Sequence, residues 1–88
     1  MIYSNEADLL NVALFGMTAQ EWKKQNPQVD GNIRDQATLE QLVVLSNMES
    51  INALLIQQNR CSEERILQLN QVAISQMKSL LKIGRAHV

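Results

Sequence analysis

Two long stretches of helical rhythm, joined by almost nothing, constrain this chain more than any other feature. "TLEQLVVLSNMESINALLIQQN" runs over residues 38–59 and "SEERILQLNQVAISQMKSLL" over residues 62–81. Asn59, which closes the first stretch, with Arg60 and Cys61 is the whole connection between the two patterns. A helix cannot turn through so short a connection and run parallel to its predecessor, so the pair must form an antiparallel helical hairpin. Thr38 with Gln41 three positions on is a capping-box pattern. Ser62 is followed by Glu63 and Glu64, acids that suit the positive end of a second helix.

The facing positions follow by arithmetic. With the turn centred near residue 61, partners across the hairpin sum to roughly 121 or 122. Leu55 then lies opposite Ile66, Met48 opposite Ala73, and Val44 opposite Met77. Asn52 falls opposite Leu69 or Asn70, and an Asn52–Asn70 amide pair beside the apolar seam would hold the register. Apolar residues also spread beyond one seam. Val43, Leu45, Leu54 and Ile56 lie off the first stripe, and Leu67, Ile74 and Leu81 off the second. Two short helices nearer the N-terminus are the expected cover for this surface, with a protein partner as the other candidate.

The first of those helices is "NEADLLNVALFGM", in which Leu10, Ala13, Leu14 and Met17 fall on one face. Asn5 is placed to cap its start and Gly16 to end it in a left-handed turn. In "TAQEWKKQNP", Thr18 and Glu21 form another capping box, Trp22 is the expected core anchor, and Pro27 stops the helix. The stretch "NPQVDGNIRDQA" is dense in turn formers and reads as a loop pinned by Val29 and Ile33. The expected fold is therefore all-α: two short N-terminal helices packed on a long antiparallel hairpin, as one domain over residues 3–81.

Composition supports that architecture. Apolar residues make up 45% of the chain, enough to argue against disorder, while aromatics are only 3%. A core of Leu, Ile, Val, Ala and Met suits helix-on-helix packing better than a sheet. The net charge of −1 comes from interleaved acids and bases, with no basic stripe to meet a run of phosphates. No apolar run reaches the ~20 residues that span a bilayer, and the N-terminus lacks a signal-peptide layout. A cytoplasmic setting is the default, and the single Cys61 fits a reducing one.

Catalysis requires convergent reactive groups, and the sequence offers few. The one histidine, His87, lies in the doubtful C-terminal tail, which leaves no Ser–His–acid set, and with one His and one Cys no His/Cys metal site can be assembled. Three glycines leave no phosphate-cradling loop. Glu63-Glu64 and Asp30/Asp35 are explained as caps and turn formers, and Cys61 as an inert thiol in a turn. Met48, Met77 and Met17 read as core filler. A helix-turn-helix reading of the region after Thr18 is disfavoured, because the following loop exceeds the ~3–4 residue turn of that motif. No catalytic, cofactor-binding, metal or small-molecule residue is assigned, and no cofactor is expected.

The pieces "NEADLLNVALFG", "TAQEW", "GNIRD" and "VLSNMESINA", taken together, resemble the C-terminal helical region of bacterial and phage-derived KilA-N domain proteins. The resemblance covers Tyr3 to about Leu81. In that family the N-terminal KilA-N domain is the part associated with DNA, and it would precede Tyr3. Gln36 stands in "RDQAT" where the family pattern has an aromatic. The resemblance implies a non-enzymatic accessory domain for assembly or partner contact. Its partners would be a second copy of the chain or the parent protein's N-terminal domain, with DNA reached only through that domain. A free-standing helical regulator of antitoxin-like type, binding a protein partner from a true start at Met1, stays open as the alternative.

The final residues 82–88, "KIGRAHV", depart from both the periodicity and the resemblance. They match, without a mismatch, the translation of AAG ATC GGA AGA GCA CAC GTC, a common sequencing-adapter start. This tail is expected to be non-native. A natural helix end with Gly84 as its cap is the competing explanation.

Overall fold

The computed structural model describes residues 5–86, with side chains over residues 5–82. The described residues form four helices and no strand: α1 (Glu6–Phe15), α2 (Ala19–Gln25), α3 (Leu39–Gln57) and α4 (Ser62–Ala86). Local chemistry sets most of the helix starts. Asn5 is extended and its side-chain oxygen accepts from the Asp8 N–H at 2.8 Å. Thr18 with Glu21, and Thr38 with Gln41, each form a reciprocal capping box. Each box satisfies two amides that the helix cannot, which is worth about 1 kcal/mol per cap.

The helix ends are equally local. Gly16 takes φ 82° and its N–H bonds the Val12 carbonyl, a left-handed stop that a side chain would strain. The α3 end sits two residues earlier than the periodicity suggests. Asn59 adopts φ 60°, one of the few non-glycine residues for which this is tolerable, and the Arg60 N–H reaches back to the Leu55 carbonyl. The chain then reverses into α4, whose first turn closes with Arg65 N–H on the Cys61 carbonyl.

Hairpin and cover form one core. Val44, Leu45, Met48 and Leu55 of α3 and Leu69 and Ala73 of α4 are buried together with Leu9, Leu10 and Ala13 of α1. Ile66 and Met77, half-buried, pack against the same cluster. All six residues expected to meet across the hairpin thus lie in one core. The hydrogen bond from Asn47 to Gln76 (2.9 Å) fixes a register within two residues of the arithmetic. α1 lies against α4 and, less extensively, against α3.

Several expectations need correction. The Asn52–Asn70 amide pair does not form. Asn52 binds Glu6 and Arg65, and Asn70 instead donates to the Ala13 carbonyl at 2.8 Å, tying α4 to α1. Trp22 is only half-buried and α2 has no buried residue. The aromatic lines a small pocket at the edge of the molecule together with Phe15, Met17 and Ile33. Ile33 is the buried pin of the loop and Val29 is half-buried.

That loop is organised by side-chain-to-backbone bonds. Asn32 accepts from Arg34 and Asp35 N–H, while Asp35 accepts from Asn32 N–H. Gly31, at φ 85°, leaves room for the Asp35 carboxylate, which a Cβ would approach to 2.5 Å.

The second long helix also continues five residues beyond Leu81, to Ala86, through Gly84 rather than stopping there. Extending an existing helix adds a hydrogen bond per residue fixed, and a single glycine costs only ~1 kcal/mol. Helical backbone over these residues is compatible with either origin of the tail. His87 and Tyr3 lie outside the described residues.

Candidate interaction surface

The inner side of the hairpin carries a polar clamp that local sequence does not reveal. Arg65 is buried, its side chain 9% exposed, while the Glu6 side chain is 52% exposed. The guanidinium donates to Glu6 Oε1 at 2.6 Å, Glu6 Oε2 at 3.2 Å, Asn52 Oδ1 at 2.8 Å and the Arg60 carbonyl at 3.2 Å. Asn52 completes the triangle by donating to Glu6 Oε1 at 2.9 Å. The Arg65 hydrogen bond, then that of Asn52, holds the Glu6 carboxyl below its ordinary value, against a smaller opposing effect of burial. One residue from each helix of the core is thereby joined at the hairpin's closed end. The geometry is that of a brace, because the charges neutralise one another and none points into a cleft.

The other cations are dispersed. Arg60 of the α3–α4 turn pairs with Glu64 of α4 at 3.2 Å, Arg34 donates to the buried Asn11 at 3.1 Å, and Lys23 donates to the Val29 carbonyl. Among the described residues no group of three or more His, Cys, Asp or Glu side chains is gathered to hold a metal ion. No helix of the described residues is long and apolar enough to cross a membrane. A shallow groove on α4, lined by Gln68, Gln71, Val72, Ser75 and Gln76, has neutral walls and offers no group that titrates. Cys61 is exposed in the α3–α4 turn.

The outer side is different in kind. Leu39, Leu42, Val43, Leu54 and Ile56 of α3, and Leu67, Ile74 and Leu81 of α4, are all exposed large apolar residues. Of the seven off-seam residues identified from periodicity, the N-terminal helices bury only Leu45. The expectation that α1 and α2 cover this surface is therefore overturned. α1 is ten residues long and already packed against the core, and no residue of α2 is itself buried. Scattered exposed leucines are ordinary on a small protein, but here they recur along two adjacent helices. No family model, curated protein or solved structure matches the chain.

Proposed function

We propose that this chain is a non-enzymatic helical accessory domain of a phage-type KilA-N DNA-binding protein, working by protein–protein contact in the cytoplasm. The observation that carries the proposal is the number of large apolar residues left exposed on α3 and α4 beside a well-packed core. A domain that satisfies its own core and still presents Leu, Ile and Val outward is suited to contact another protein. The sequence resemblance supplies the parent protein, whose KilA-N domain carries the DNA contact.

The distribution of charge supports a division of labour. Phosphate contacts from Lys and Arg dominate DNA affinity. Here Arg65 is committed to Glu6 and Asn52, Arg60 to Glu64, and Arg34 to Asn11. Titration of the chain against mixed-sequence duplex DNA at ~50 mM salt should give no useful binding, whereas a KilA-N domain supplied in trans should bind the chain in calorimetry. Micromolar DNA affinity that falls steeply with added salt would overturn the accessory role.

A further inference from the structure

We draw no further inference here: the strongest candidate, the uncharged pocket at the edge of the molecule where Phe15, Met17 and Trp22 meet Ile33, is a shallow, largely apolar recess, and nothing in the structure shows what fills it.

Discussion

The two sides of the α3–α4 hairpin are built from the same residue types and come to opposite ends. On the inner side Val44, Met48 and Leu69 are wholly buried beneath α1. On the outer side Val43, Leu54 and Leu67 face solvent, although each is a close sequence neighbour of a buried residue. Hydrophobicity alone therefore does not sort them. Position relative to one ten-residue helix does, because α1 can cover only one side of a two-helix layer.

The difference predicts opposite responses to truncation. Leu69→Ala should destabilise the fold by ~2–5 kcal/mol in chemical denaturation, since it empties a fully enclosed site. A loss below 1 kcal/mol would mean that the inner side can collapse around the gap and is less firmly packed than its burial implies.

The clamp gives the next largest effect and a pH signature. Glu6 has a folded-state pKa below its ordinary value, so its contribution is fully present above the ordinary glutamate range. It is lost as the pH falls through the lowered folded value. Glu6→Gln should cost about 1–2 kcal/mol at neutral pH, discounted because the carboxylate is half exposed. The gap between wild type and variant should then close in acid. A gap independent of pH would show that Arg65 is held by Asn52 and the Arg60 carbonyl without need of the charge.

Asn70 marks the border between the sides, and Asn70→Ala should cost about 1 kcal/mol by releasing the Ala13 carbonyl. The smallest effect belongs to the outer side. Leu67→Ala should change the stability of the monomer by no more than ~0.5 kcal/mol at low concentration. A larger loss would place Leu67 inside the monomer's own packing and remove the contrast.

Features written in short stretches of chain were legible in advance. The capping boxes at Thr18 and Thr38, the Asn5 cap, the Gly16 stop and the short reversal before Ser62 each depend on residues within a turn or two. The hairpin itself was also legible, because so tight a connection leaves two long helices no course but to fold back on each other. The clamp was not. Glu6 and Arg65 are 59 positions apart, and each has an adequate local explanation as a helix-start acid and a surface cation. Neither explanation contains any hint of the other residue.

What the sequence determined by itself was therefore the set of helices, their caps and the antiparallel order of the last two. These are short-range matters, decided by hydrogen bonds and periodicity along one segment. Tertiary structure decided which apolar face α1 would take, that Trp22 would stay at the edge, and that Arg65 would turn inward to Glu6 and Asn52. Those outcomes depend on how far a short helix can reach and which surfaces compete for it. Burial is allotted among all the elements together, and no single segment carries that information.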